Sequence, residues 1–263
     1  LKSLIFTETP EGQTPVDLVI LDTPNGSSDN GYTNSPFYGC TSLKNIVLPE
    51  RLTVIGRLAF GGLVSGRYGE KYIPPFESIS LPSTLKEIHE MAFLNARNLK
   101  TVTFASGTTL SDACDGKAFA IGKQAFYYCT SLTEIALPTS SEATYSIGDT
   151  AFAYTGLKEI SIPKAVGWLG SGVFNRSSDL AKVVFEAGAN PKCGTSLFAY
   201  TAVSGVTLPE GVEAISNYMF QGCVNLTSVT VPASVKSIGI SAFESCQALA
   251  KVTFATYEKD GKS

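Results

Sequence analysis

Chemistry in this chain would have to start from very few residues. The only histidine, His89, sits in Ile88-His-Glu-Met-Ala-Phe93, so any Ser-His-Asp or Cys-His arrangement has to be built on it. Its place is a slot that glycine fills in related segments, which points to a turn residue rather than a general base. Asp112 and Asp115, in Ser111-Asp-Ala-Cys-Asp-Gly-Lys117, set two carboxylates near enough to share a calcium ion. They lack the alternating oxygen ligands of a calcium-binding loop. The six cysteines form no C-x-x-C pair of the kind that holds zinc. Cys40, Cys129, Cys223 and Cys246 each fall three residues after a phenylalanine, a spacing that suits small buried hydrophobes. A Cys223–Cys246 disulfide is the alternative, and it demands a suitable separation and aim. Cys114 and Cys193 read as loop residues, paired or free. The expectation is an unreactive chain with no catalytic residue, no cofactor-binding residue and no metal ligand.

Totals narrow the classes further. The chain has 263 residues, is 44% hydrophobic and 16% charged, and carries a net charge of −3. That balance leaves no electrostatic footprint for nucleic acid or an anionic membrane. No run of about 18 apolar residues is present, so no helix-forming segment spans a bilayer.

The elements that would position these residues are repeats. Ser237 to Phe254 reads SIGISAFESCQALAKVTF, and its frame recurs upstream with phenylalanine at 37, 60, 93, 126, 152, 174, 198, 220 and 243. The successive gaps are 23, 33, 33, 26, 22, 24, 22 and 23 residues, a unit of 22–24 residues lengthened by insertions. The segments 61–75 and 105–120 are the long insertions, and 139–145 is a shorter one. Within a unit, Leu226-Thr-Ser-Val229-Thr-Val231-Pro232 alternates apolar and small polar residues, the pattern of a half-buried strand. Proline then ends the strand because it has no N–H to donate. An Ile-Gly pair follows, where glycine permits a bend. Ala242, Phe243 and Cys246 are spaced to share one face of a short helical turn.

The expected architecture is a mainly-β or α/β-type repeat solenoid, a right-handed stack of about nine units. Each unit holds a parallel strand, a turn and a short helical or 3-10 segment. It would form one domain over 1–263, with 1–35 a partial first repeat with an irregular insertion, 36–254 the repeats and 255–263 a tail. Leu1 to Phe6 matches the end of a unit, so chain preceding Leu1 is expected. A solenoid end needs a polar cover, so the final unit should be sealed by polar substitutions or continue into further chain.

The frame IGxxAFxxCxxLxxVxxP, as in Ile121 to Pro138 and Ile215 to Pro232, resembles the BspA-like leucine-rich repeat family of bacterial cell-surface proteins. The resemblance implies a curved or gently twisted solenoid, exported to the cell surface or secreted, with a signal or anchor outside these residues. It also implies adhesion, with an extracellular protein or glycan as partner, and transfers no catalytic motif or cofactor.

Two surfaces are candidates for that contact. The outward strand row Val47, Ser80, Thr103, Ala136, Ser161, Val184, Thr207, Thr230 and Thr253 is small and β-branched, without an aromatic or arginine anchor. The insertion 61–75 carries Arg67, Tyr68, Lys71 and Tyr72, which suit partner binding on an exposed loop unless the tyrosines fold down on the flank. The sequence therefore predicts a monomeric, non-enzymatic surface or secreted binding module. The alternative is a structural spacer that presents another domain.

Overall fold

A computed structural model describes residues 2–5, 18–20, 36–62, 72–112, 119–139 and 144–255. Each unit contributes strands to two parallel stacks and a phenylalanine-bearing turn between them. The front stack contains Asn45–Val47, Ser78–Leu81, Thr101–Phe104, Glu134–Ile135, Glu159–Ile162, Lys182–Phe185, Gly205–Thr207, Ser228–Val231 and Lys251–Phe254. Ser3–Ile5 pairs in parallel with Asn45–Val47 at its start. Every described pairing is parallel, with register advancing one unit at a time, as in Ile79↔Val102 and Val229↔Val252. Alternation decides the faces: Ile79, Val102, Ile160, Val206 and Val229 are buried while Ser80, Thr103, Ser161, Thr207 and Thr230 are exposed.

The second stack is built on the Ile-Gly pairs. Leu18–Ile20, Leu52–Ile55 and Glu87–Ile88 pair in order, and single bridges at Ile121 link them to Tyr145–Ile147, Val166–Leu169 and Lys192–Cys193. Ala214–Ile215 and Ser237–Ile238 continue the same row. One apolar side chain per unit thus points inward, from Ile20 through Ile55, Ile88, Ile121, Ile147, Leu169 and Cys193 to Ile215. Cys193 is therefore a strand residue in the isoleucine slot, contrary to the loop expected for it. Glycine follows because neighbouring units approach backbone to backbone: a Cβ on Gly148 would sit 2.6 Å from the Lys123 nitrogen. Close approach, more than a bend, is its role.

The expected helical segment is absent. The described structure holds strands and turns, and the turn around each phenylalanine spends its donors in alternation. The N–H groups of Met91, Phe93 and Asn95 donate to the carbonyls of Lys123, Ala125 and Tyr127 in the next unit, at 2.9, 2.8 and 2.7 Å. Those of Ala92, Leu94 and Ala96 fold back on His89, Met91 and Phe93. Residues two before or two after the phenylalanine take left-handed φ of 51–62°, among them Gln124, Tyr128, Thr150 and Tyr154. A left-handed residue costs roughly 1–2 kcal/mol and cannot continue an α-helix. Bonds between units offset that cost, and a helix would have consumed those donors internally.

The core is a row of nine phenylalanines. Phe37, Phe60, Phe93, Phe126, Phe152, Phe174, Phe198, Phe220 and Phe243 stack with centroids 4.9–5.9 Å apart and planes within 4–16°. Near-parallel rings at such separations are offset, the favoured geometry. With the isoleucine row and Leu99, Leu132, Leu157, Leu180 and Leu226 they form one continuous apolar cluster from Ile20 to Ala242. The outer side of the last described unit is not polar, since Ile238, Ile240, Val252 and Phe254 are all exposed.

Candidate binding surface

The residues that could do chemistry are built into the scaffold. His89 Nε2 lies 3.0 Å from Glu87 Oε2 beside the second strand stack. Asp112 accepts from the N–H groups of Ala120 and Ser146 at 3.1 and 2.7 Å, and from the Ser146 hydroxyl at 2.6 Å. Its oxygens hold two units together. Asp115 lies outside the described residues, as does Cys114. Among the described residues no group of three His, Cys, Asp or Glu is placed to hold a metal ion.

The five described cysteines are free, so Cys223 and Cys246 are not joined. Cys129, Cys223 and Cys246 donate their thiols to the carbonyls of Phe93, Phe198 and Phe220, each in the preceding unit, at 3.2, 3.1 and 3.0 Å. Ser177 does the same with Phe152 at 2.9 Å, which shows what the slot requires: a small donor. Burial pushes the Cys129 and Cys223 thiols up, away from the reactive thiolate.

Of the insertion residues, Tyr72 is interior. It is 5% exposed, donates its hydroxyl to the Phe37 carbonyl at 2.9 Å and meets Tyr38 edge to face at 5.2 Å. Burial, then the nearby Cys40, pushes its phenol up to about 12. Tyr72 anchors the end of the insertion, and Arg67, Tyr68 and Lys71 lie outside the described residues. The front strand face is as small and β-branched as its sequence suggests, with Val47 and Val184 exposed among its serines and threonines. Its charged row is paired across units, with Lys100–Glu77 at 2.7 Å and Lys182–Glu159 at 3.2 Å. A depression of about 760 Å³ opens where Gly205 lacks a side chain, lined by Val184, Thr207 and Thr230 and by one aromatic, Phe185.

A different surface gathers aromatic and cationic groups. Two residues after the repeat phenylalanine, consecutive units place Tyr128, Tyr154, Arg176 and Tyr200, all with left-handed φ of 57–62°. Their N–H groups donate to Ala153, Asn175, Ala199 and Gln221 in the following units at 2.7–3.1 Å, which clamps the row at the unit spacing. Tyr128 and Tyr154 stack at 4.4 Å and 9°. Arg176 then lies with its guanidinium carbon 6.0 Å from the Tyr154 centroid and 4.5 Å from that of Tyr200. Arg97 covers Tyr128 at 5.4 Å, steadied by a 2.6 Å bond from its Nε to Asn95 Oδ1. The order along the stack is Arg97, Tyr128, Tyr154, Arg176, Tyr200.

Tyr127 buttresses this ridge edge-on, 4.9 Å from Tyr128 and 5.4 Å from Tyr154. Burial raises its phenol pKa, Tyr154 and Tyr128 add to that, and Arg176 opposes it. Arg176 is exposed and Tyr200 is 41% exposed, while Arg97, Tyr128 and Tyr154 are half-buried, so the row meets solvent along its length and most fully at the Arg176–Tyr200 end. Sequence reasoning missed the ridge. The signal was Phe126-Tyr-Tyr-Cys, Phe152-Ala-Tyr-Thr, Phe174-Asn-Arg-Ser and Phe198-Ala-Tyr-Thr, four consecutive units with Tyr or Arg at one offset.

Comparison with known proteins agrees with this architecture. A leucine rich repeat protein of T. pallidum shares 24% identity, covering 78% of this chain and 77% of its own, with a TM-score of 0.50. A leucine-rich repeat protein from Eubacterium ventriosum shares 19% identity over 87% of this chain and 65% of its own, with a TM-score of 0.51. These likenesses speak for the fold alone. No curated protein matches the chain. The profile of the BspA type leucine rich repeat region matches in six copies, over residues 27–67, 71–119, 115–223 and 191–260. With nearly all of 27–260 matched, the chain belongs to the BspA type leucine rich repeat family.

Proposed function

We propose that the protein is a non-enzymatic binding module, displayed at the bacterial cell surface or secreted, that holds an extracellular ligand as a monomer without a cofactor. The observation behind this is the row of half-buried Tyr128 and Tyr154 and exposed Arg176 and Tyr200, capped by Arg97 and fixed at the unit spacing. Tyrosine and arginine are the residues that dominate recognition hot spots, and a rigid backbone lowers the entropy lost on binding. A scaffold that used its turns only for spacing would gain from these side chains no more than their mutual stacking, about 0.5–1 kcal/mol per contact. The front strand face and the 61–75 insertion, through Arg67, Tyr68 and Lys71, would add secondary contacts.

The spacer reading has its own support in the front face, where Lys100 pairs with Glu77 and Lys182 with Glu159 and where the side chains are small. Arrays of immobilised matrix proteins and glycans separate the two readings. Wild type should bind a defined subset, and Arg97→Ala/Tyr154→Ala/Arg176→Ala should lose it while still melting cooperatively, several degrees lower for the stacking it gives up but above the assay temperature. Binding to nothing on either array would favour the spacer, and equal binding by both proteins would remove the ridge from the account.

A further inference from the structure

We propose that the ridge takes an extended acidic glycan, laid along the stack axis with its carboxylate or sulfate groups on Arg97 and Arg176. The proposal rests on the ridge being the binding surface and names the class of ligand.

Stacking determines what the ridge can offer. Tyr128 and Tyr154 turn their faces to each other at 4.4 Å, and Arg176 covers the faces of Tyr154 and Tyr200. Little ring face is left for a neutral sugar or an aromatic side chain to stack on. What remains outward is a row of phenol hydroxyls and guanidinium edges. A guanidinium stacked on an aromatic ring keeps its N–H fork free in the ring plane, the geometry that grips a carboxylate or sulfate with two parallel bonds.

The charges call for an anion. The described ion pairs join His89, Lys100, Lys182 and Lys236 to glutamates, and neither ridge arginine takes part. Arg97 has one donor on Asn95, and Arg176 makes no side-chain hydrogen bond among the described residues. The two cations lie on either side of the Tyr128–Tyr154 pair, about 14 Å apart at roughly 4.8 Å per unit. A single small anion cannot reach both. The ligand is therefore elongated and carries more than one acid group.

A glycan meets this better than a peptide. A peptide gains affinity by setting apolar anchors in pockets or by adding a strand to a sheet edge. No ridge residue lines the depression at Gly205 or the one between Phe104 and Pro138, where an anchor could sit. A polyhydroxylated chain supplies hydroxyl partners for the phenols between the acid groups. Two arginines on a chain of net charge −3 are too few for a polyphosphate backbone.

The test is titration calorimetry at low salt with three unbranched probes of six residues each: hexagalacturonate, maltohexaose and hexaglutamate. Hexagalacturonate should bind wild type, and binding should weaken steeply with added salt. Arg176→Ala should cost about tenfold or more in affinity, and Arg176→Lys nearly as much, because lysine keeps the charge and loses the fork and the stack. Tyr154→Phe should weaken binding several-fold, about the effect of one hydrogen bond. Maltohexaose and hexaglutamate should give no heat of binding. Equal binding of hexaglutamate would replace the glycan with an acidic peptide. Hexagalacturonate binding that survives Arg97→Ala/Arg176→Ala would move the site elsewhere. Failure of hexagalacturonate, with ridge-dependent binding still present on the arrays, would overturn the acidic glycan and leave the binding surface standing.

Discussion

Arg176 sets its guanidinium carbon 4.5 Å from the centroid of the Tyr200 ring, one unit further along the stack. The contact locks two long side chains in line with the repeat and gives the turn face a defined surface. An exposed cation–π contact contributes about 0.5–1 kcal/mol, and Arg176 makes two, so Arg176→Ala should lower unfolding free energy by no more than about 2 kcal/mol. Urea denaturation followed by circular dichroism measures it, and a small change shows that loss of binding in this variant is not loss of fold.

The row ends where a side chain is missing. The Tyr200 ring lies over Gly222, whose φ is +71°, and a Cβ there would come within 2.4 Å of Tyr200 Cδ1. Gly222→Ala should cost about 1–2 kcal/mol in backbone strain and push the ring off its seat. Gly188, with φ of +78° and nothing within 4 Å of a built Cβ, supplies the control. Gly188→Ala should show the strain and leave ligand binding unchanged, whereas Gly222→Ala should also weaken binding.

Truncation in the phenylalanine row should be costly wherever it is made inside the stack. Phe152 is wholly buried between Phe126 at 5.1 Å and Phe174 at 5.9 Å. Phe152→Ala should lose about 3–5 kcal/mol, and because units share one core the whole array should melt earlier. Differential scanning calorimetry should show one lowered transition.

Alkaline pH should destabilise the fold through buried acids. Burial raises Cys193 from 9.0 to about 12 and Tyr72 from 10.0 to about 12, and Cys246 reaches about 11. A raised acid stays protonated in the folded chain where the unfolded chain has already released its proton. Their contribution to stability is complete below about pH 9 and is lost as pH climbs through the raised values. Urea midpoints should be flat from about pH 7 to about pH 9 and fall above it, and Cys193→Val should shrink the fall.

The period exposed most of the fold in advance. Phenylalanine, the Ile-Gly pair and the strand-ending proline recur at offsets that only stacked units can satisfy. The turn was not legible, because Ala-Phe-x-x-Cys places its apolar residues alike on a helical turn and on the left-handed turns at Gln124 and Tyr128. Cys193 was hidden because it replaces isoleucine while Leu197 replaces alanine in the same unit. The ridge was missed for a different reason. Tyr154, Arg176 and Tyr200 occupy a slot that other units fill with Asn95 or Gly222, so the repeat frame assigns it no residue type. Only the distances between units show that the side chains meet. Tyr72 could have faced out or in, and the carbonyl of Phe37 draws it in.

The most direct test sets the ridge against the front strand face. Binding to the array ligands should be compared for Arg97→Ala/Tyr154→Ala/Arg176→Ala and for Val184→Arg/Thr207→Arg/Thr230→Arg, whose sites are exposed on the front strands. With both variants folded at the assay temperature, binding should vanish in the first and persist in the second. Binding kept by the ridge variant and lost by the strand-face variant would contradict the account.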